Sequence, residues 1–370
     1  MRTAGPLETE FSMRLAVTLV TGLHDGTRRG IARAMAGGTK AESADATGGD
    51  GHDGEFAAAL ADRLVGLALD GRRGAVVVDL SADADIVEVG LVFEAVFAEH
   101  GRHIALRDVV AVATASDVRT LLFRDGVGDD AREIALAERL ALQLEFATVV
   151  VVTASAAVTP AEMLEIRGLL LKLNPTARRL QLAGNGELRP LDPGPLESRP
   201  LQSGPDVDAG GTPAPFGRSA GWMLELAGTV MPTTADGIGC LVYRDPRPFH
   251  PVRLAAVVDG WLEPDLAGLI IRSRGLVRLA SRADRVGSWS TAGSVLALDP
   301  TSMTSWDRHS PIGQELVFFG RDLNRDYIVR ALDCCLLSDD EMLAGRWSGR
   351  PTTIPSPSGI SSTTTDLRRL

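Results

Sequence analysis

The residues with the clearest chemical potential follow a short apolar run, Leu15–Val20. A phosphate-binding loop of the form GxxxxGK(S/T) combines backbone N–H groups that hold phosphate, a lysine that reaches the β- and γ-phosphates, and a hydroxyl that binds Mg²⁺. Counted from Gly22, this sequence has Thr27 at the second glycine, Arg28 at the lysine and Arg29 at the hydroxyl. The spacing therefore predicts a strand, a glycine turn and a helix whose chemistry is altered.

These substitutions remove most of what a phosphate loop supplies. Arg28 keeps a positive charge, but its planar guanidinium differs from the compact ammonium of lysine. Arg29 cannot coordinate Mg²⁺, and Thr27 carries a Cβ where the loop can require a positive φ, which is costly for a β-branched residue. On this segment alone, a plain scaffold and a binding loop are equally open interpretations.

The elements that must position this segment alternate between strand and helix patterns. Apolar runs rich in β-branched residues predict buried strands at Leu15–Val20, Ala75–Leu80, Val109–Ala113 and Thr148–Val152. Helical periodicity lies between and after them, at Phe56–Leu69, Val87–His100, Ala131–Phe146 and Ala161–Leu173. This alternation predicts an α/β fold with a doubly wound, mostly parallel sheet, which binds ligands beyond the carboxyl ends of its strands.

Composition divides the chain into an α/β domain at 1–187, a linker rich in proline and glycine at 188–219, a second domain at 220–347 and a disordered tail at 348–370. The polar, glycine-rich stretch 37–55 is predicted to be a mobile loop. In the second domain, strands are predicted at Gly239–Tyr243, Leu269–Leu279 and Glu315–Phe319, and helices at Val252–Trp261 and Asn324–Cys334. This pattern indicates a small α+β domain.

Overall composition narrows the setting. The net charge of −10 disfavours generic DNA or RNA binding, which needs cationic contacts to phosphates. No apolar run reaches the ~20 residues that span a bilayer, and we find no signal peptide, so we expect a cytoplasmic protein without a membrane partner. Only two of the 38 basic residues, Lys40 and Lys172, are lysines. This bias indicates a GC-rich genome of the actinobacterial kind.

Five blocks in the second half carry a family resemblance. They are YRDPRPFHPVRL (Tyr243–Leu254), IRSRGLVRLASR (Ile271–Arg282), SWSTAG (Ser288–Gly293), GQELVFFGRDLN (Gly313–Asn324) and LDCCLLSDDEM (Leu332–Met342). In this order they resemble the carboxy-terminal domain of the CobW family, whose members are P-loop GTPases associated with metal handling and cobalamin biosynthesis. One departure is Arg278, where the family usually carries tryptophan.

The resemblance extends to the first half, which aligns with the family's P-loop GTPase-like domain. Thr153, Ala154 and Ala156 stand where the family has the Asn, Lys and Asp of the guanine-recognition motif NKxD. Asp79 keeps the carboxylate of the family's Glu-x-x-Gly switch, but Ala82 replaces its glycine, and the metal-binding CxCC motif is missing. The remnant of the nucleotide loop then comprises Gly22, Asp25, Gly26, Arg28, Arg29 and Asp79. The resemblance implies a pseudo-GTPase without catalytic residues.

A role in binding follows from this reading, with a protein partner and a setting in zinc or other metal homeostasis. Divergent mycobacterial members of the family include a type linked to zinc starvation, which helps recruit a ribosome hibernation factor to the small subunit. The resemblance therefore implies the ribosome or such a factor as a partner. Neither GTP with Mg²⁺ nor Zn²⁺ is firmly predicted as a cofactor. The alternatives are a GTP-dependent zinc metallochaperone with an unorthodox loop, and an unrelated phospholigand binder.

A cluster of arginines in the second domain is a further candidate site. Arg272, Arg274, Arg278 and Arg282 could bind phosphate or an acidic partner, and the first three share one face if the stretch is a strand. The alternative is a solvated arginine face. Elsewhere, His250 is predicted to cap the helix that begins near Pro251. At least one of Cys334 and Cys335 is predicted to lie in the core.

Overall fold

The computed structural model describes residues 14–36, 42–44, 53–124, 130–183, 187–191, 220–229, 234–261, 264–293 and 295–343. The chain divides into two compact units. Unit 1 comprises Met1–Asp117, Leu142–Thr159 and Asn174–Ala220, and unit 2 comprises Val118–Ala141, Pro160–Leu173 and Gly221–Leu370. The segment Pro160–Leu173 thus groups with the carboxy-terminal half of the chain. Within the residues that the structure describes, no helix is both long and apolar enough to cross a membrane.

Unit 1 is built on a seven-stranded sheet. Its strands are β1 (Leu15–Gly22), β2 (Glu42–Ala44), β3 (Gly74–Leu80), β4 (Ile104–Thr114), β5 (Val149–Thr153), β6 (Arg178–Leu182) and β7 (Leu188–Pro190). The strand order is β2-β3-β1-β4-β5-β6-β7. All neighbours pair in parallel except β6 and β7, which are antiparallel. The predicted α/β, mostly parallel fold is confirmed.

Both faces of this sheet are covered, which explains the continuous apolar runs of its strands. Val17 and Val78 lie in a buried cluster with residues of helices α2 (Asp53–Leu69) and α3 (Ile86–Glu99). Val20, on the opposite face of β1, lies in a second cluster with residues of helix α1 (Asp25–Ala36). Because successive side chains of a strand point to opposite faces, a strand buried on both faces cannot alternate with polar residues.

Unit 2 contains a separate six-stranded antiparallel sheet in the order β12-β11-β10-β13-β9-β8. Its strands are β8 (Thr234–Ala235), β9 (Ile238–Asp245), β10 (Leu269–Val277), β11 (Arg285–Ala292), β12 (Val295–Thr304) and β13 (Gln314–Arg321). The remaining labelled helices of the chain are α4 (Ala131–Phe146), α5 (Pro160–Leu173), α6 (Gly221–Leu226), α7 (Pro251–Trp261), α8 (Pro264–Ala267), α9 (Arg325–Asp333) and α10 (Asp339–Leu343). The core of the sheet includes Trp289, Phe318 and Leu316, and the predicted α+β domain is confirmed.

Several predicted boundaries need correction. The predicted linker begins with strand β7, and the predicted loop 37–55 contains β2 and the start of α2. Strands β11 and β12 were not predicted, because their sequences RVGSWSTA and VLALDPTSMT lack a continuous apolar run. The rest of the predicted linker up to residue 219 and the whole predicted tail lie outside the described residues.

Candidate functional site: the altered phosphate loop

The carboxyl ends of three parallel strands bring the loop remnant together. Val20 of β1 pairs with Asp79 of β3, and Gly22 pairs with Val112 of β4. A Cβ on Gly22 would lie 2.4 Å from the carbonyl oxygen of Val112, so only glycine fits this close approach. Helix α1 begins at Asp25, three residues after Gly22. The strand, glycine turn and helix predicted from the spacing are all present.

The side chain of Arg28 points into the fold and is 1% exposed. Its Nε donates to Oδ1 of Asp79 at 2.5 Å. Its Nη1 donates to Oδ1 of Asp25 at 2.8 Å and to the carbonyl oxygen of Gly22 at 3.2 Å. Asp79 is itself only 4% exposed, so the pair is buried. The guanidinium at the lysine position is therefore satisfied by two carboxylates and a carbonyl of its own chain.

Arg29 lies at the edge of the same cluster. Its guanidinium is 3.3 Å from Oδ2 of Asp25 and 3.6 Å from Oδ2 of Asp79, and its side chain is 43% exposed. Two arginines thus face two aspartates. A phosphate entering here would have to compete with both carboxylates for the same donors.

The backbone at the start of α1 is also committed. The N–H of Arg28 donates to the carbonyl oxygen of His24 at 3.0 Å, which is the first bond of the helix ladder. A phosphate loop would instead direct backbone N–H groups of this region at a phosphate. Asp25 lies in the first turn, where the positive end of the helix dipole stabilises a carboxylate. The anion at this helix terminus is thus a residue of the chain.

A contact beside the loop was missed by sequence reasoning. Nε2 of His24 lies 2.8 Å from Oδ2 of Asp117. The same carboxylate oxygen accepts a hydrogen bond from the hydroxyl of Thr114 at 2.6 Å. Asp117 follows the carboxyl end of β4, and its place directly after a buried strand was the signal that could have identified it.

The positions of the guanine-recognition motif carry no polar chemistry of that kind. Thr153 ends β5, and Ala154 and Ala156 follow in an exposed loop. Neither alanine can accept hydrogen bonds through its side chain from a base. Among the residues that the structure describes, no group of three or more His, Cys, Asp or Glu side chains could hold a metal ion.

The four predicted anion-binding arginines do not form one surface. Arg272 is fully buried and donates to Oε2 of Glu138 at 2.6 Å. Burial alone would raise the pKa of Glu138, but the charge and hydrogen bond of Arg272 outweigh it and lower that pKa. Arg274 lies over the ring of Trp222 at 5.8 Å. Since Arg272 lacks exposure, the interpretation of a shared anion site on this strand face is corrected.

The other two arginines lie beyond strand β10. Arg278 donates to the carbonyl oxygens of Ser305 and Pro311, so it holds a loop in place. Arg282 ends a short helical turn and lines a shallow groove. The predicted alignment of Arg278 with Arg272 on one strand face is wrong, because β10 ends at Val277.

Two structural expectations in unit 2 are confirmed. Nδ1 of His250 accepts a hydrogen bond from the N–H of Arg253 at 3.4 Å, as a residue capping α7 should. Cys335 is fully buried, and burial raises the pKa of its thiol to about 12. Cys334 is exposed. A buried thiol with a raised pKa is a poor nucleophile and a poor metal ligand.

Together, a parallel sheet with a strand–glycine–helix turn and a separate antiparallel sheet define a P-loop-like protein with a second domain. Residues 238–336 match the model of the cobalamin synthesis protein CobW carboxy-terminal domain. The chain is 28% identical over 250 residues to the zinc-regulated GTPase metalloprotein activator 1 of Dictyostelium discoideum, covering 60% of this chain and 49% of the relative. It thus spans about half the length of that curated relative. The chain belongs to the CobW family.

Solved structures with a similar arrangement include the Zn(II)-bound YjiA GTPase from E. coli. It is 16% identical, covers 88% of this chain and 99% of its own, and has a TM-score of 0.34. A Zn(II)-bound triple mutant of YjiA GTPase is 15% identical with the same coverage and a TM-score of 0.35.

Proposed function

We propose that this chain is a non-hydrolysing member of the CobW family that acts by binding, as an adaptor or regulatory protein in zinc or other metal homeostasis. The observation that carries the proposal is the buried pair between Arg28 and Asp79, with Asp25 as a second carboxylate. The chemistry that phosphoryl transfer needs at this position is a cation directed at phosphate oxygens. Here the cation is directed at the protein's own carboxylates.

The energetics support this assignment. Redirecting Arg28 to a phosphate would leave Asp79 buried, at 4% exposure, without this partner. Removing one partner of a buried ion pair costs about 3–5 kcal/mol. That cost corresponds to about 10²–10⁴-fold in a dissociation constant. The missing Mg²⁺ ligand and the alanines at the base-recognition positions weaken nucleotide binding further.

The metal setting rests on the relatives. The curated relative is named as a zinc-regulated GTPase metalloprotein activator, and the carboxy-terminal match is to a CobW domain. We propose that this chain works in the same setting through protein contacts. The partner implied by the family resemblance is the small ribosomal subunit or a hibernation factor that binds it. Co-sedimentation with ribosomes from zinc-limited cells tests this partner, and its absence from that fraction with the protein expressed counts against it.

Calorimetry tests the loss of nucleotide chemistry. Mg²⁺–GTP is titrated into the purified full-length chain, with Mg²⁺–ATP as a control. We expect no saturable heat up to about 1 mM nucleotide, a limit near −4 kcal/mol. The matched variant T27G/R28K/R29S returns the residue types of a phosphate loop and shows whether these positions decide the outcome. Stoichiometric GTP binding with steady turnover by the unmodified chain would refute the proposal and favour a GTP-dependent zinc metallochaperone.

A further inference from the structure

The loop between β12 and β13 exposes two large apolar side chains. Trp306 is 75% exposed and Ile312 is 83% exposed. By contrast, Trp289 in the neighbouring strand β11 is fully buried. Leaving so much apolar surface in water is unfavourable, and tryptophan is enriched at the energetic centres of protein interfaces. The pair is therefore a candidate for contact with another molecule.

The loop is held in a defined shape. Arg278 donates through Nε to the carbonyl oxygen of Pro311 at 3.0 Å, and through Nη2 to that of Ser305 at 2.8 Å. The same Nη2 donates to the hydroxyl of Ser310 at 2.9 Å. The N–H of Ser305 donates to the carbonyl oxygen of Asp284 at 2.9 Å. A loop fixed in this way loses little conformational entropy on binding, which favours affinity.

A groove with an apolar floor adjoins the loop. Leu279, Leu298 and Pro300 line it, and Arg282 and Arg285 lie at its rim. The groove and the loop are connected, because Nη1 of Arg285 donates to the carbonyl oxygen of Ser302 at 3.4 Å, close before the loop in sequence. We name Arg282, Arg285, Trp306, Arg308 and Ile312 the Trp306 surface.

The charge of this region differs from that of the chain as a whole. Four arginines lie on or under the loop and at the groove, whereas three aspartates accompany them: Arg278, Arg282, Arg285 and Arg308, with Asp284, Asp299 and Asp307. Asp284 lies 3.8 Å from Arg285, which is a long contact between exposed groups. The region is therefore locally cationic in a chain whose net charge is −10.

We infer that the Trp306 surface docks a segment of a protein partner that carries carboxylates beside an apolar side chain. The carboxylates would meet Arg282 and Arg285, because guanidinium groups bind carboxylates through paired hydrogen bonds. The apolar side chain would enter the groove and cover Trp306 and Ile312. A second copy is disfavoured, because a two-fold contact would bring the same cationic surface against itself. RNA is disfavoured by the three aspartates and the acidic chain.

Fluorescence anisotropy with the full-length chain tests this surface. The probe is a labelled, end-capped decapeptide of alternating glutamate and leucine, and a lysine–leucine peptide of the same length is the charge control. We expect saturable binding of the glutamate peptide only. Trp306→Ala and the charge reversal R282E/R285E should each weaken binding at least tenfold. Arg189→Glu, at an arginine that is 61% exposed in unit 1, should leave it unchanged.

The outcomes that would overturn the inference are distinct from those of the nucleotide titration. No saturable binding up to about 1 mM, or binding that both variants leave intact, would refute it. Tighter binding of a single-stranded RNA oligonucleotide at the same surface would assign a different class of partner. Self-association of the unmodified chain that Trp306→Ala abolishes would assign the surface to a second copy. Thermal midpoints of the variants, compared with that of the unmodified chain, show that loss of binding is not loss of folding.

Discussion

Replacing Asp79 with asparagine removes one charge from the buried pair with Arg28. Both side chains are almost fully buried, at 4% and 1% exposure, so the arginine is left with Asp25 alone as a charged hydrogen-bond acceptor. Breaking a buried pair costs about 3–5 kcal/mol, and the contact to Asp25 places the expected loss near about 3 kcal/mol. At 2–4 °C for each kcal/mol in a domain of this size, the melting temperature should fall by about 6–12 °C.

The matched control for this change is Asp25→Asn. Asp25 makes a hydrogen bond of similar length to Arg28, but its side chain is 56% exposed. A pair with such an exposed partner contributes about 0.2–1 kcal/mol, so this variant should stay within about 1 kcal/mol of the unmodified chain. The difference between the two variants therefore measures burial, because the number of hydrogen bonds removed is comparable.

Urea unfolding followed by circular dichroism gives the free energy of unfolding of each variant. A third variant, R28M/D79L, replaces the pair with apolar side chains and should recover most of the loss, because apolar replacement removes both charges together. If Asp79→Asn costs no more than Asp25→Asn, the pair is not buried in solution. The argument that Arg28 is committed to the protein would then fail.

Three further predictions follow from the geometry. Glu138→Gln should lower stability at pH 7: because the pKa of Glu138 is lowered from 4.5 in the folded state, its contribution is complete above pH 4.5 and is lost as pH falls through the lowered value. Urea titrations at pH 7 and below pH 4.5 should therefore show a difference that shrinks in acid, and a difference independent of pH would contradict this. A thiol reagent at pH 7.5, followed by intact mass, should modify Cys334 well before Cys335, and Cys334→Ser should remove the fast phase. Gly22→Ala should destabilise unit 1 in thermal melts, because its Cβ would meet a backbone carbonyl of β4 at 2.4 Å, and an unchanged midpoint would show that the turn can relax.

The sequence was informative where burial imposes a simple pattern. The valine-rich strands β1, β3 and β5 were predicted because both faces of the parallel sheet are covered, so their apolar runs are continuous. Strand β12 escaped prediction because it lies at the edge of its sheet and carries Pro300 among polar residues. An edge strand needs fewer apolar positions and tolerates proline.

The candidate site was predictable in its members and not in its geometry. Motif positions identified Gly22, Arg28 and Asp79, but whether Arg28 turned inward depended on the register of β1 against β3, which places the aspartate beside the loop. The partner of Arg272 was out of reach for a similar reason. Glu138 lies 134 positions away in the chain, and no local pattern connects the two.

The substitutions in the loop depend on one another, and that dependence bears on function. Arg28 compensates the buried charge of Asp79, and Asp25 both pairs with the arginines and occupies the helix terminus where a phosphate would bind. Returning lysine at position 28 alone would replace a planar guanidinium that contacts two carboxylates with a group of different shape and hydrogen-bonding geometry. A phosphate loop altered in this concerted way serves as a structural ion-pair cluster of unit 1. The chemistry left for function then lies in surfaces that bind other molecules, and the Trp306 surface in unit 2 is the one whose exposure, fixed shape and charge favour such a contact.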